Sequence, residues 1–170
     1  MKLRVAGFLD NTTVNGEGLR SAVFLSGCNH NCEGCHNKPM QDFNYGEDID
    51  IKDIIDRIQS NMPLIRGVTF SGGEPFEQAD KLSILAKDIK DMGLSLWSYT
   101  GYTFEEIINS GDKYKLKLLK MLDVLIDGRF EKDLAQGAHK YTGSRNQRII
   151  NVKESVAAKK VIMWEKINKV

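Results

Sequence analysis

Short, almost wholly apolar runs recur along this chain, and helical patterns separate them. Ala22-Val23-Phe24-Leu25-Ser26, Gly67-Val68-Thr69-Phe70-Ser71, Leu94-Ser95-Leu96-Trp97-Ser98-Tyr99 and Val124-Leu125-Ile126 read as strands, and Arg148-Ile149-Ile150-Asn151-Val152 as a fifth. Runs this short and continuous suit strands covered on both faces, as in a parallel sheet. Between them, Ile51, Ile54, Ile55 and Ile58 recur at helical spacing, as do Leu82, Leu85, Ile89 and Met92, with Gly93 placed to end the second helix. Thr103 precedes Glu105 and Glu106 as an N-cap before a face of Phe104, Ile107 and Ile108, and Tyr114 to Leu122 forms a fourth helical stretch. Strands alternating with helices predict α/β architecture with right-handed crossovers. The strands are too few to close a full (β/α) barrel, so the expectation is a partial, open barrel: a mostly parallel sheet with flanking helices.

In such sheets, sites gather beyond the carboxyl ends of the strands. The chemically distinctive residues fall there. Cys28 follows the first strand, Gly72-Gly73-Glu74 the second, Thr100-Gly101 the third and Asp127-Gly128 the fourth. Four loops would then face one cleft.

Composition narrows the classes. A chain of 170 residues can bury a core without staples, and 41% hydrophobic with 28% charged residues reads as globular. No internal boundary is visible, so residues 1–170 are read as one domain, with 153–170 a tail of unassigned role. The net charge of +1 gives no electrostatic argument for nucleic acid or an anionic membrane. No apolar run approaches the ~18 residues of a membrane span. The N-terminus starts basic but meets Asp10 before a long apolar stretch develops, so no secretory signal is read and a cytoplasmic location is expected.

The three cysteines lie within eight residues, Cys28-Asn29-His30-Asn31-Cys32-Glu33-Gly34-Cys35, followed by His36. An odd, clustered set is a poor disulfide framework and points to metal or redox chemistry. Three thiolates at C-x3-C-x2-C spacing suit one face of an iron–sulfur cluster. With no fourth cysteine, one iron would stay open to a substrate, as open positions do at catalytic metals. Gly27 and Gly34 would let this loop turn tightly. Spacing alone leaves a Cys3His zinc site open, with His30 or His36 as fourth ligand. His30 by itself reads as a solvated loop residue.

The second motif is Ser71-Gly72-Gly73-Glu74-Pro75-Phe76. Adjacent glycines allow close backbone approach to a ligand, and Glu74 adds a carboxylate; the plain alternative is a turn before a helix starting near Glu77. Tyr99 and Asp127, at strand ends, either line the pocket or serve ordinary packing and turn formation. Arg148 either pairs with a cofactor carboxylate or braces the fold. Trp97 and Trp164 read as packing residues.

Taken in order, the series resembles the radical S-adenosylmethionine superfamily. It runs through Asn15-Gly16-Glu17-Gly18-Leu19-Arg20, the cysteine loop with Cys35-His36-Asn37, Ser71 to Phe76, Tyr99-Thr100-Gly101-Tyr102, Asp123 to Phe130 and Tyr141 to Ile150. Within that superfamily it is similar to the activating proteins of anaerobic ribonucleoside-triphosphate reductases. The likeness spans about Asn15 to Val152. The short chain and Gly143-Ser144-Arg145-Asn146-Gln147-Arg148 favour this branch over activases of other glycyl-radical enzymes such as pyruvate formate-lyase.

The resemblance implies a 4Fe-4S cluster on Cys28, Cys32 and Cys35, with S-adenosylmethionine on the open iron. It implies cofactor contacts from Gly34, Cys35 and His36, the last standing where the family often has Tyr. It also implies that Gly72, Gly73 and Glu74 hold the methionine end, with Gly73 approaching closest. Reductive cleavage would give a 5′-deoxyadenosyl radical that makes a glycyl radical on the large subunit of the reductase. A flavodoxin or ferredoxin would supply the electron.

Overall fold

The first strand of the fold is one that the apolar runs do not mark. In the computed structural model, which describes residues 1–165, β1 (Lys2–Thr12) pairs antiparallel with β2 (Arg20–Leu25) and, through its first residues, with β3 (Glu47–Asp50). Gly7, Asp10 and Asn11 interrupt the apolar pattern of β1, and β3 is a largely acidic edge strand. Both escape a search for apolar runs for that reason.

The next three runs form as expected. β4 (Gly67–Gly72), β5 (Ser95–Tyr99) and β6 (Val124–Asp127) add to β2 in parallel, one after another. The fifth run is β7 (Arg148–Asn151), but it pairs antiparallel with β6, departing from the parallel pattern. The sheet has seven strands in the order β3-β1-β2-β4-β5-β6-β7, and it is open. Five of its strands, β2 to β6, share one direction, because β3 is reversed twice relative to β2.

Among the described residues five α-helices accompany the sheet: α1 (Ile51–Ser60), α2 (Ala79–Asp91), α3 (Phe104–Ile108), α4 (Lys113–Met121) and α5 (Val152–Ala158). Local chemistry sets their ends. Asp50 accepts from Lys52 N at the start of α1, and Thr103 forms a capping box with Glu106 at the start of α3. Before α2, Pro75–Gln78 makes a 3-10 turn, so the α-helix proper begins two residues after Glu77. The tail carries α5, and Met163 bridges Ile150 of β7. The rest of it, residues 166–170, lies outside the described residues.

Alternation along the strands divides the core. Val68, Phe70, Leu96 and Leu125 pack with buried side chains of α1 to α4, whereas Trp97, Val124, Ile126 and Ile149 form a second cluster with Tyr99, Tyr141 and Trp164. The packing roles read for Trp97 and Trp164 hold; their rings meet edge to face at 4.9 Å.

Beside the second cluster lies Arg20, which is fully buried. Its five N–H groups reach Thr69 Oγ1, Ser95 Oγ and the carbonyls of Glu17, Val68 and Ser95. Trp97 covers it at 5.2 Å. Burial pushes the guanidinium down to about 10, still charged at neutral pH. This residue ties the starts of β2, β4 and β5 together.

The leucines of α2 carry much of the packing, and Leu85 is wholly buried. Leu85→Ala is expected to cost about 2–5 kcal/mol in urea unfolding. Ile84→Ala, one residue away on the exposed side, should change stability by about 0.5 kcal/mol or less.

Candidate functional site

The loops that leave β2, β4, β5 and β6 surround a cleft of about 460 Å³. Cys28, Cys32, Cys35 and His36 line one part of it, and Ser71, Gly72, Gly73, Tyr99, Thr100, Gly101 and Gly128 line the rest with Phe130 and the Tyr141–Gly143 segment. The four strand-end loops therefore do face one space.

The cysteine loop is shaped by its backbone. Each cysteine follows a residue with positive φ: Gly27 at 99°, Asn31 at 52° and Gly34 at 75°. Glycine takes this conformation freely, and asparagine tolerates it better than most residues. The chain thus turns before every thiol. All three thiols are free and half-buried on the cleft. Burial pushes the Cys28 thiol up, an effect that the nearby backbone amides of His30 and Asn31 partly oppose. Among the described residues no three His, Cys, Asp or Glu side chains converge on a single ion.

Both histidines that could complete a Cys3His set have other partners. The His36 ring packs against Phe130 at 4.9 Å. His30 is not the solvated residue its sequence context suggested. Its side chain is 6% exposed, Nε2 lies 2.7 Å from Glu74 Oε1, and its ring meets Tyr102 edge-on at 4.6 Å.

Glu74 is completely buried. Its carboxylate accepts from His30, from the N–H groups of Gly101 at 2.7 Å and Phe76 at 3.0 Å, and from the Thr100 hydroxyl, 2.8 Å from Oε1. Its own N–H donates to Gly27 O, just before Cys28, and Gly73 N–H donates to Leu25 O at the end of β2. The Gly-Gly-Glu loop is thereby bonded to both the cysteine loop and the loop after β5.

The residues singled out from sequence separate into two groups. Cys28, Cys32, Cys35, His36, Gly72, Gly73 and Tyr99 line the cleft. Glu74 and Asp127 stand behind its wall, with their carboxylates turned to protein donors. Asp127 accepts from Phe104 N and from Arg148 at both oxygens. Gly34 is exposed beside Lys132 and Phe130. Arg148 braces the fold, pairing with Asp127 and Glu105, which drive its guanidinium pKa upward. The Tyr99 hydroxyl donates to Tyr141 O at 2.6 Å, and burial pushes its pKa up as well.

Sequence reasoning gave no role to Val14, Asn15, Phe24, Phe130 or Tyr141, all of which line the cleft. In the sequence alone the Asn146-Gln147 pair has no evident physical role. The fold supplies one: Gln147 accepts from Gly143 N and donates to Gly128 O, and Asn146 donates to Arg129 O. The pair shapes two cleft-lining loops.

Comparison with known proteins bears on what this cleft holds. Residues 14–150 match a family model described as a 4Fe-4S single cluster domain. The chain is 37% identical over 144 residues to the anaerobic ribonucleoside-triphosphate reductase-activating protein of Pasteurella multocida, covering 80% of this chain and 89% of that one. It is 34% identical over 143 residues to the protein of the same name from Enterobacteria phage T4, covering 80% and 86%. The chain belongs to the anaerobic ribonucleoside-triphosphate reductase-activating protein family. The Escherichia coli K12 member is 32% identical over 143 residues, covering 79% of this chain and 89% of that one. Among solved structures, QueE from Escherichia coli shares the fold, with a TM-score of 0.51 at 15% identity over 75% of this chain and 70% of that one. No helix among the described residues of this family member is long and apolar enough to cross a membrane.

The buried carboxylate predicts a sharp stability effect. Glu74→Ala strands two backbone N–H groups, a hydroxyl and an imidazole, and should cost about 3 kcal/mol or more. Urea unfolding of the metal-free protein measures it. Glu74→Gln, which keeps one acceptor oxygen, should fall between that variant and the wild type.

Proposed function

We propose that this chain is a radical S-adenosylmethionine activase that generates a glycyl radical on the large subunit of anaerobic ribonucleoside-triphosphate reductase. One observation carries the reading: three free, half-buried thiols face the same cleft as the glycine-rich loop after β4.

The donor set fits a 4Fe-4S cluster with one open iron. Three thiols are present without a fourth cysteine anywhere in the chain, and a cubane takes one thiolate per iron. The backbone amides of His30 and Asn31 near the Cys28 sulfur favour its thiolate form, which suits a metal ligand. A single zinc ion, with Zn–S of ~2.3 Å, would need donors that converge on a point. We therefore assign Cys28, Cys32 and Cys35 as the cluster ligands. We also read the open sheet, with its cleft at the strand ends, as a partial barrel of the radical S-adenosylmethionine type.

Cys28, Cys32 and Cys35 would hold the cluster, and the cluster with S-adenosylmethionine would supply the one-electron, radical-generating chemistry directed at a glycine of the reductase. The chain's own residues bind, orient and shield. Gly72 and Gly73, half-buried on the cleft wall and without side chains, suit close approach of the amino-acid end of the cofactor. The His36–Phe130 pair offers aromatic surface for its base. Tyr99, held by its bond to Tyr141 O, keeps the inner wall in place. Glu74 and Asp127 act from behind, fixing the loops that make contact. The open side of the cleft admits a segment of the partner, and a flavodoxin or ferredoxin serves as reductant. No general acid–base pair is needed, because the cofactor carries the difficult chemistry.

After anaerobic reconstitution, the wild type should bind about four irons per chain, cleave S-adenosylmethionine with dithionite, and produce a glycyl radical on the reductase subunit detectable by electron paramagnetic resonance. Cys32→Ala should fold but lose cleavage. A colourless protein holding one zinc, or full activity in Cys32→Ala, would refute the assignment. A radical formed on pyruvate formate-lyase and not on the reductase would redirect it to another activase.

A further inference from the structure

The tip of the cysteine loop has few polar ties to the rest of the molecule. Cys28 N–H donates to Gln41 O, but no described backbone hydrogen bond then leaves residues 29–36 for another element until Asn37; the bond from Cys35 N to Cys32 O stays within the loop. The Lys132–Glu33 pair is exposed and 4.0 Å apart, which gives little tethering. One side chain crosses from this stretch into the interior. It is His30.

The fit around His30 is close. Its ring occupies the space beside Gly101, where an added Cβ would lie 2.4 Å from His30 Cδ2. Any other residue at 101 would push the imidazole out. Tyr102 packs on it edge-on, and Glu74 meets its Nε2. The carboxylate accepts N–H donors at both oxygens, so the imidazole is the donor and Nε2 carries the proton. His30 stands two residues after Cys28 and two before Cys32. One residue of the cysteine loop thus reaches, with its side chain, the carboxylate that organises the glycine loop.

We propose that His30 is a positioning residue that fixes the orientation of the cluster-binding loop relative to the Gly72-Gly73 loop. This rests on the activase reading above. Through Glu74, the imidazole holds the two halves of the site at one separation: the wall carrying the thiols and the wall facing the amino-acid end of S-adenosylmethionine. A loop free to swing would still collect iron on its three cysteines. It would present the open iron to the cofactor in the required place only part of the time, and apparent affinity falls by that fraction.

His30→Ala and His30→Gln separate this role from simple packing, since the glutamine amide can restore the donor to Glu74. In the metal-free protein, the backbone order parameters of residues 29–36, read by nuclear magnetic resonance, should fall below about 0.6 in His30→Ala and stay near wild type in His30→Gln. After anaerobic reconstitution, both variants should hold as much iron as the wild type. The change that S-adenosylmethionine causes in the electron paramagnetic resonance of the reduced cluster should need about ten to a hundred times more cofactor in His30→Ala, as loss of a hydrogen bond to a charged group predicts. His30→Gln should recover most of it. Unchanged cofactor affinity in His30→Ala would overturn the proposal, whether or not the order parameters fall. A wild type that takes up no iron, or does not respond to S-adenosylmethionine, would remove the activase reading and this inference with it. The wild-type control tells that failure from a failure of His30 alone.

Discussion

The buried carboxylate of Glu74 is the constraint on which the site depends. It is fully buried, and among the described residues its partners are His30, two backbone N–H groups and a hydroxyl, so its stability rests on donors. Burying such a group is unfavourable unless those donors are in place. They come from three separate stretches: Phe76 after the Gly-Gly turn, Thr100 and Gly101 after β5, and His30 between two cysteines. Satisfying the carboxylate therefore brings three loops into register. The same logic recurs at Asp127, which joins the start of α3 to Arg148 of β7.

These two acids explain why the cleft can be lined mostly by backbone, glycine and aromatic groups. The charged residues nearest the chemistry are turned away from it and spent on loop geometry. Arg20 does comparable work at the other end of the strands, where its five donors tie β2, β4 and β5 together without a carboxylate. A sheet pinned at its strand starts by a buried cation, with loops joined at its strand ends by buried anions, gives a cleft whose walls are held by directional bonds. Such bonds fix position better than apolar contacts alone.

Much of the fold was legible because its signals are local. Five strands and four helices could be read from apolar periodicity, and the Thr103 cap from its neighbours, since both depend on residues a few positions apart. β1 and β3 were not legible. Their pairing is decided by the partner strand, and their own composition is broken or acidic. The reversed direction of β7 was equally hidden, because periodicity does not carry strand direction. In the site, the thiols and the glycine pair could be named from type and spacing. The burial of His30 could not, because it depends on Gly101, seventy-one residues away.

The sequence by itself determined the chemistry available: three thiols without a fourth, a glycine pair after a strand, and an ordered series of strand-end motifs that marks the family. Those are properties of residue type and order. Only the tertiary structure decided which of the marked residues face the cleft. Glu74 and Asp127 look like ligand contacts in a linear motif, but a carboxylate turns toward whichever donors desolvate with it, and here those donors belong to other loops of the same chain. The feature that opened the sequence, a series of apolar strands each ending in a distinctive loop, thus supplied the parts of one site. Long-range hydrogen bonds assigned some of those parts to the surface of the cleft and others to its support.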